Sequence, residues 1–444
     1  MSAHRLIDAL ATSDAVSDAF SDTAVLQAML DFEVALARVE ARAGIIPVAA
    51  ADAIAAAAQV EAFDAVAIAR EARTSATASI PLVAALTERV RAASPENAAY
   101  VHWGATSQDV ADTALVLLLA RVRPALATEH ARLSSSLRRL SDAHATTIML
   151  GRTLMQPATP ITFGLKAAVW YSTAARGWKR LARALEDTAA VQFGGAVGTL
   201  AAFGETGPDI GRALAHELGL RPSLPWHTDR GSLAAVVSTC AIYTGALGKI
   251  ARDVALLSQP EVGEVAAAGG GSSTMPHKQN PAGCAIALAA ATRLPGLVAG
   301  FLAGLPQEHE RATGGWQAEW PSVGAAIETT GAALAAMAGT VETLQVFPDR
   351  MRANLDATGG AIFAERATLL LRPLVGRDAA QAIVAAALHE SRMTGVTFGA
   401  ALRAHPDAAR AMPAAQLERI DRPEDYLGAA AAFRLELVDT PQDA

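Results

Sequence analysis

The sequence predicts an all-α protein in which long helices form a bundle. Hydrophobic residues make up 52% of the 444 residues but aromatic residues only 5%, so the apolar content is mostly Ala, Leu and Val. This mixture favours closely packed helices and lacks the β-branched and aromatic strands of an all-β fold. Charged residues make up 18%, which is too few for long disordered regions. The chain length corresponds to roughly three domains.

The N-terminal third reads as a series of helices. The first strong helix is predicted to begin after Ser21, a residue type that caps helix N-termini. Apolar residues then recur with helical spacing up to Gly44, which ends the helix. More helix is predicted over 51–73, followed by a polar loop over 74–79. A further helix is predicted to open at Ile80.

A break over 95–109 precedes the longest periodic segments of the chain. Their lengths of roughly 22–36 residues exceed the mean helix length of about 11–12. Small residues on several faces predict a bundle that neighbouring helices or subunits cover. The predicted long helices are 110–145, 160–186, 231–257, 281–305 and 323–344. Beyond residue 346 the predicted helices are shorter, and four prolines break them: Pro373, Pro406, Pro413 and Pro423.

Charge and cysteine content exclude several classes of function. The net charge of −7 argues against nucleic-acid binding, which needs a basic surface. The two cysteines, Cys240 and Cys284, have no metal-binding or disulfide spacing. No secretory signal is expected in residues 1–14, because they hold no long apolar core. The uncharged stretch 231–248 contains Ser, Thr and Tyr, which favours a buried core helix over a membrane span. A cytoplasmic protein is therefore expected.

The segment 269–281, with the sequence GGGSSTMPHKQNP, carries the strongest functional signal. A flexible Gly/Ser linker is the alternative, but a linker needs no Met-Pro-His-Lys-Gln-Asn-Pro run. The glycines give a closing loop its conformational freedom. The Ser hydroxyls can transfer protons, and Lys278 and Asn280 can hold an anion. Pro281 suits the first turn of the next helix. The segment lacks the ending of a phosphate-binding P-loop.

Four further polar segments are candidates for a binding site: 102–109, 151–157, 226–230 and 309–320. Each also has a structural interpretation, such as helix capping by Thr106 or a polar turn between helices. A capped helix N-terminus would still present N–H groups to an anion. The histidines lack zinc-site spacing, so no metal is predicted. The stretch 194–198 follows no strand and is interpreted as a close helix–backbone contact, not as a dinucleotide site.

The five polar segments together supply Ser, Thr, Asn, Gln, His, Lys and Arg side chains. They contain no evident nucleophile–base triad. This inventory suits a small polycarboxylate substrate and proton transfer at a carbon next to a carboxylate. The enediolate intermediate of such a reaction could be stabilised by Lys278 and by backbone N–H groups.

The segment 271–281 resembles the Gly-Ser-Ser-x-Met-Pro-x-Lys-x-Asn-Pro motif of the fumarase/aspartase superfamily at every fixed position. Segments 102–114 and 151–156 resemble two further motifs of that superfamily, in the same order along the chain. The resemblance implies a homotetramer whose active sites each take residues from three subunits. No cofactor is expected. The implied domains are an N-terminal helical domain, a central bundle with the catalytic loop, and a C-terminal helical domain, at 1–105, 106–345 and 346–444.

Within the superfamily, the chain is most similar to the branch of 3-carboxy-cis,cis-muconate cycloisomerases. Trp226-His227-Thr228 and the segment 311–320 resemble that branch, and C-terminal segments fit both this branch and the adenylosuccinate lyases. The lyases usually carry His at the position of Leu154. The implied reaction closes 3-carboxy-cis,cis-muconate to 4-carboxymuconolactone, in protocatechuate breakdown, through an enediolate. Its attacking carboxylate belongs to the substrate and needs no base.

The resemblance also implies roles for individual residues. Ser272 is the expected proton-transfer residue, with Ser273 as the alternative, and Lys278 completes the catalytic set. Lys278 and Asn280 are expected to grip the carboxylate at the reacting end of the substrate. The expected substrate-binding residues are His102, Thr106, Ser107, Arg152, Thr153, Gln156, His227, Arg230, Met275, Asn280 and Arg311.

Two other functions stay open. One is a different carboxylate lyase of the same fold, such as adenylosuccinate lyase, although no purine or phosphate pocket is evident. The other is a non-catalytic helical scaffold, as found among lens crystallins related to these lyases. The intact Ser272, Lys278 and Asn280 argue against the scaffold. Ala76-Thr77 stands where the family commonly has Gly-Asn, so the motifs do not define the shape of the substrate.

Overall fold

A computed structural model describes residues 6–271, 274–275 and 277–439. Helices dominate it, which confirms the all-α prediction. In chain order the α-helices are α1 Asp14–Ala19, α2 Asp22–Arg42, α3 Val48–Ala57, α4 Ala65–Ser75, α5 Ser79–Ala93, α6 Ser107–Ala143, α7 Phe163–Thr188, α8 Gly207–Glu217, α9 Gly231–Leu257, α10 Ala282–Ala303, α11 Gly315–Glu342, α12 Pro348–Asp356, α13 Ala364–Val375, α14 Arg377–Thr394, α15 Phe398–Ala404, α16 Pro406–Ala411, α17 Ala414–Leu417 and α18 Ala430–Asp439.

Short strands and short segments of 3₁₀-helix complete the secondary structure of the described residues. The strands are β1 Ile148–Thr153, β2 Gln156–Thr162, β3 Val265–Ala266 and β4 Gln345–Val346, paired antiparallel as β1–β2 and β3–β4. The 3₁₀ turns are Leu6–Asp8, Val60–Ala62, Pro95–Tyr100, Gly204–Thr206, Ala361–Phe363 and Pro423–Tyr426.

The chain divides into two compact units. Unit 1 comprises Met1–Ala131, Gly177–Gly248 and Ala285–Met337, and unit 2 comprises Arg132–Arg176, Lys249–Cys284 and Ala338–Ala444. Each unit therefore combines segments that are distant in the sequence. The division into three domains at 1–105, 106–345 and 346–444 stays a prediction.

Unit 1 has a large aliphatic core to which α2 contributes one face. The helix begins where predicted, because the Ser21 side chain accepts a hydrogen bond from the Ala24 backbone N–H at 3.3 Å. It ends before Gly44, whose backbone is left-handed with φ +73°. Leu30 and Leu36 from α2 are buried in the same core as Leu82 of α5. The core accounts for the apolar periodicity of this region.

The continuous helix predicted over 51–73 is wrong. The structure ends α3 at Ala57 and restarts with α4 at Ala65. Asp64 explains the restart, because its carboxylate accepts from the backbone N–H groups of Val66 and Ala67 at 2.9 and 3.0 Å. A capping residue can thus divide a segment whose apolar composition reads as one helix.

The long helices agree with their predicted positions to within a few residues at most ends. Helix α9 has the predicted bounds, 231 and 257. Helix α11 begins at Gly315, eight residues before its predicted start, and contains Pro321. Pro373 was expected to break a helix but lies inside α13. The buried core of the C-terminal segments in unit 2 includes Phe363 and Phe398.

The β1–β2 hairpin of unit 2 was not predicted. Its two-residue turn is Leu154-Met155, and both residues have left-handed backbones, with φ +49° and +64°. Asn-Gly or Asp-Gly is the usual signal for such a turn, because these residues accept positive φ at little strain. The sequence has neither at this point, so periodicity alone could not reveal the hairpin.

Two helices, α9 and α10, are long and apolar enough to cross a membrane by length and composition. In the most apolar window of α9, 56% of the residues are buried inside the protein. Core helices of soluble proteins meet the same criterion, and this burial agrees with the core interpretation of 231–248. In the corresponding window of α10 only 22% are buried, so much of that helix is uncovered in the single chain.

Candidate active site

Asp109 organises the N-terminus of α6 in unit 1. Its buried carboxylate accepts from the backbone N–H groups of Thr106, Gly194 and Gly195 at 2.9–3.1 Å. His227 Nε2 lies 3.2 Å from the same carboxylate. The glycine-rich stretch therefore makes the close helix–backbone contact that the sequence indicated. Three backbone donors fix the loop before α6 against 194–195.

Arg311 lies beside this helix N-terminus. Its Nη2 donates to Thr106 Oγ1 at 2.9 Å and to the Ala196 carbonyl at 3.2 Å. Its Nε is buried and has no hydrogen-bond partner among the described residues. Thr106 and Ser107 are half-buried. A guanidinium next to the positive end of a helix dipole creates a favourable position for a carboxylate.

His102 completes what we call the His102 group, defined as His102, Thr106, Ser107 and Arg311. The His102 Nδ1 lies 2.7 Å from Oε1 of Glu33, and its backbone is left-handed with φ +59°. Burial alone would lower the pKa of His102, but the charge and hydrogen bond of Glu33 and the charge of Asp109 outweigh burial and raise it. The group thus presents positive charge and hydroxyls.

Arg230 belongs to a different arrangement, the Arg230 cluster of Arg230, Asp112 and Glu319. Its Nη1 and Nη2 donate to the Asp112 carboxylate at 2.7 and 2.9 Å, and its Nε and Nη2 donate to Glu319 at 2.6–3.1 Å. Trp316 Nε1 also donates to Asp112 at 3.0 Å, and the Trp226 ring lies 4.8 Å from the guanidinium carbon. All three charged groups are buried.

The β1–β2 hairpin in unit 2 carries the next set of predicted residues. Arg152 forms a two-pronged pair with Glu264, with N–O distances of 2.7 and 2.9 Å. Asn354 Nδ2 donates to the same buried carboxylate at 2.8 Å. Thr153 and Gln156 face each other across the turn and are exposed. Arg152 thus anchors the strand that presents the exposed polar pair.

The loop 269–281 also belongs to unit 2. Ser272 and Ser273 lie outside the described residues. At the base of the loop, the Asn280 N–H donates to the Gly270 carbonyl at 3.0 Å. The Lys278 N–H donates to the Met275 carbonyl at 3.0 Å, and both side chains are exposed. The loop therefore has a closed base, with Lys278 and Met275 turned outward.

Comparison with known proteins identifies the family. The sequence profile of a family described as lyase matches residues 9–296. The chain belongs to this lyase family. It is 43% identical over 440 residues to a 3-carboxy-cis,cis-muconate cycloisomerase of Bradyrhizobium diazoefficiens, covering 98% of both chains. It is 42% identical over 442 residues to a nitrosuccinate lyase of Streptomyces davaonensis, covering 97% of this chain and 93% of the relative.

A solved structure shows the same fold. The 3-carboxy-cis,cis-muconate lactonizing enzyme from Pseudomonas putida superposes with a TM-score of 0.92 at 39% identity, and 98% of each chain is covered. The predicted resemblance to the fumarase/aspartase superfamily, with the cycloisomerases as its most similar branch, is thereby confirmed. The predicted all-α fold class is confirmed by the same match.

The geometry divides the predicted site residues into groups. His102, Thr106, Ser107 and Arg311 belong to unit 1, where Arg311 contacts Thr106, whereas Thr153, Gln156, Met275, Lys278 and Asn280 belong to unit 2. His227, Arg230 and Arg152 are each engaged by a buried carboxylate. Their roles in substrate binding stay predictions. Among the described residues no group of three His, Cys, Asp or Glu side chains could hold a metal ion.

Sequence reasoning missed the buried carboxylates that hold the predicted residues. Glu33 pairs with His102, and Glu264 pairs with Arg152. A signal for Glu33 was available, because this residue lies within the apolar stripe of the first strong helix. A charged residue on a buried helix face is rarely left without a partner. The sequence did not show which partner it would find.

Proposed function

We propose that the chain is a cycloisomerase that converts 3-carboxy-cis,cis-muconate to 4-carboxymuconolactone. The observation that carries the proposal is 43% identity to a cycloisomerase over 98% of both chains. Leu154 supports it, since the hairpin turn presents an apolar side chain, 96% exposed, where the lyases usually carry His. Lactonisation needs no base at that position, because the nucleophile is a carboxylate of the substrate.

The reaction places distinct demands on the residues. A substrate carboxylate oxygen bonds to one end of a conjugated double bond, and the displaced electron pair moves onto the other carboxylate as an enediolate. A proton from Ser272, or from Ser273, then adds to the α-carbon. Lys278 offers a mobile cation for the enediolate, where electrostatic stabilisation has its largest effect. Asn280 assists it at the same carboxylate.

The substrate carries three carboxylates, and the remaining residues serve the non-reacting ones. In unit 1, Arg311 and His102 supply positive charge, and Thr106 and Ser107 supply hydroxyls at a helix N-terminus. From unit 2, the exposed Thr153-Gln156 pair, together with Met275, forms the other binding elements. His227 and Arg230 support these elements from buried positions, and Arg152 does so through its pair with the buried Glu264.

A substituted-succinate lyase is the second candidate. The nitrosuccinate lyase relative is 42% identical, practically the same as the cycloisomerase, so overall identity does not separate the two. Read backwards, lactonisation is itself a β-elimination through an enediolate. The same loop and cations would serve both reactions.

Substrate assays with the purified protein separate these functions. We expect loss of 3-carboxy-cis,cis-muconate absorbance, with little turnover of nitrosuccinate, adenylosuccinate or argininosuccinate. Turnover of another substrate without loss of carboxymuconate would replace the cycloisomerase by a lyase. Absence of every activity in a folded protein would favour the scaffold.

Paired variants test the proton-transfer residue. We expect Ser272→Ala to lower kcat by about 10²–10⁴-fold, the usual contribution of a positioned proton donor, while the oligomer stays intact. Ser273→Ala is expected to cause a smaller loss. The opposite ranking would assign the proton to Ser273, and near-normal kcat in both variants would remove these hydroxyls from the mechanism.

We further infer a cytoplasmic homotetramer in which three subunits contribute to each active site. The supporting observation is α10, an apolar helix whose central window is only 22% buried in the single chain. Uncovered apolar surface of this extent marks an interface. Light scattering after size exclusion should give four times the 45.7-kDa chain mass. A monomer in solution would reject the assembly, and cell fractionation tests the location.

A further inference from the structure

Helix α2 buries two carboxyl groups in the core of unit 1. Glu33 and Glu40 lie seven residues apart on one helical face, and their exposed fractions are 2% and 1%. Their neighbours on that face, among them Phe32 and Leu36, are fully buried hydrophobic residues. A buried carboxylate is unfavourable unless it is paired or protonated. The two residues resolve this problem differently.

Glu40 is held as a neutral acid. Its Oε1 has no hydrogen-bond partner among the described residues. Burial, aided by the negative charge of Glu33, raises the pKa of Glu40 to about 9. Glu33 instead has His102, with 2.7 Å between Oε1 and Nδ1. Of these two carboxyl groups, therefore, only Glu33 carries a negative charge, and that charge is paired with His102.

His102 is bound on one side only. Its Nδ1 is occupied by Glu33, whereas among the described residues Nε2 has no hydrogen-bond partner. The side chain is 19% exposed, and that of Glu33 is 1% exposed. The ring thus has one nitrogen bound by a carboxylate of the core and the other without a partner. A histidine whose second nitrogen is fixed has a defined tautomer and orientation.

The backbone at His102 is strained in support of this arrangement. Its φ of +59° is unfavourable for a residue other than Gly. Two residues later, Gly104 is also left-handed, and a β-carbon there would overlap the Phe203 ring. Strain of this kind persists where the surrounding structure holds it, and it is concentrated at functional sites.

We propose that Glu33 is a positioning residue for His102: its buried carboxylate accepts the Nδ1–H of the imidazolium form, so that the Nε2–H of that form points at a carboxylate of the substrate. Glu33 itself touches no substrate. The identity of the substrate in this inference rests on the proposed function. The pairing of Glu33 with His102 does not depend on it. Such a charge-assisted donor selects anionic groups over neutral ones. The charged groups that act on His102 are Glu33 from α2 and Asp109 from α6.

The first test needs no substrate. Hydrogen–deuterium exchange at the imidazole C2–H, followed by mass spectrometry over a range of pH, gives the titration midpoint of each histidine in the intact protein. For His102 we expect a midpoint above the ordinary value of about 6.5. In Glu33→Gln, which keeps the side-chain size but removes the charge, the midpoint should fall by about 1 pH unit or more.

Glu40→Gln is the matched control on the same helix face. Because Glu40 is neutral around pH 7 and does not contact His102, this variant should leave the His102 midpoint unchanged. An unshifted midpoint in Glu33→Gln would overturn the proposal. If that variant does not fold, the wild-type protein still decides, because a His102 midpoint below about 6.5 contradicts a controlling carboxylate.

The second test measures kinetics on whichever substrate the assays identify. In Glu33→Gln we expect kcat/KM to fall about 10-fold or more, as for a weakened charged hydrogen bond, mainly through KM. The alkaline limb of its pH profile should also move to lower pH. A role in folding alone would lower the melting temperature and leave both KM and the pH profile unchanged. Failure of the carboxymuconate assay with a shifted His102 midpoint would reject the proposed function and leave this inference intact.

Discussion

The His102–Glu33 pair and the Arg230 cluster both join a basic side chain to buried carboxylates, yet they leave that side chain in different states. Arg230 is 1% exposed, and each of its three guanidinium nitrogens donates to Asp112 or Glu319. His102 is partly exposed and uses one nitrogen, while the other has no partner among the described residues.

This difference distinguishes a basic side chain that holds the fold together from one that can bind an anionic ligand. A basic group that two carboxylates neutralise in the interior has little attraction left for an anionic ligand. A group paired on one side, with its other side accessible, keeps both charge and a donor. By this criterion we propose that His102 and Arg311 face the ligand, whereas Arg230 holds the start of α9 to α6 and α11.

Removing Arg230 is the strongest test of this comparison. We expect Arg230→Met to lower the free energy of unfolding by about 3–5 kcal/mol, because Asp112 and Glu319 would remain buried without their cation. Urea unfolding measures this loss. Arg352→Met is the matched control, since Arg352 also pairs with two carboxylates, Asp356 and Glu424, but is 49% exposed. Arg352→Met should lower the free energy of unfolding by about 1 kcal/mol or less. Equal losses would show that burial does not separate the two arginines.

Arg311 should show the reverse pattern. We expect Arg311→Met to reduce kcat/KM by about 10–100-fold, the effect of losing one charged hydrogen bond to the substrate. Its stability loss should stay near 1 kcal/mol, because its partners are a hydroxyl and a backbone carbonyl. Steady-state kinetics and urea unfolding of the same preparation measure both quantities. A stable variant with normal kinetics would remove Arg311 from the site.

The smallest expected effect concerns Glu40, the unpaired neighbour of Glu33. Its folded-state pKa is raised from 4.5 to about 9, so its contribution to stability is fully present below pH 4.5 and is lost as pH rises towards 9. A residue that does not titrate avoids this loss. We expect the stability advantage of Glu40→Met over the wild type to grow by about 1 kcal/mol between pH 5 and pH 6, because each pH unit between the two pKa values costs the wild type about 1.4 kcal/mol. Thermal unfolding at both pH values checks this, and a difference independent of pH would contradict the assignment.

Much of the fold could be predicted because helices follow local rules. Apolar periodicity gave α9 its bounds, and Ser21 gave the start of α2. The hairpin turn at Leu154-Met155 could not be predicted, since two left-handed residues with large side chains carry no local turn signal. Their conformation is held by the pairing of strands β1 and β2, which places Thr153 opposite Gln156.

The sequence predicted candidate site residues but not the partners that hold them. Motif resemblance brought forward His102, Arg152, Arg230 and Arg311 as equivalent binding candidates. The structure distinguishes them by partner: Glu33 holds one nitrogen of His102, Glu264 engages Arg152, two carboxylates enclose Arg230, and Arg311 contacts only neutral oxygens.

The sequence by itself determined the helical class, the loop motif with Lys278 and Asn280, and the superfamily, because each depends on neighbours within a few residues along the chain. Only the tertiary structure decided which charged groups form ion pairs with one another inside the protein. Glu33 and His102 are 69 residues apart, and Arg230 and Asp112 are 118 apart. Whether such groups meet, and whether water still reaches them, is fixed by packing, and that burial sets both their charge and their function.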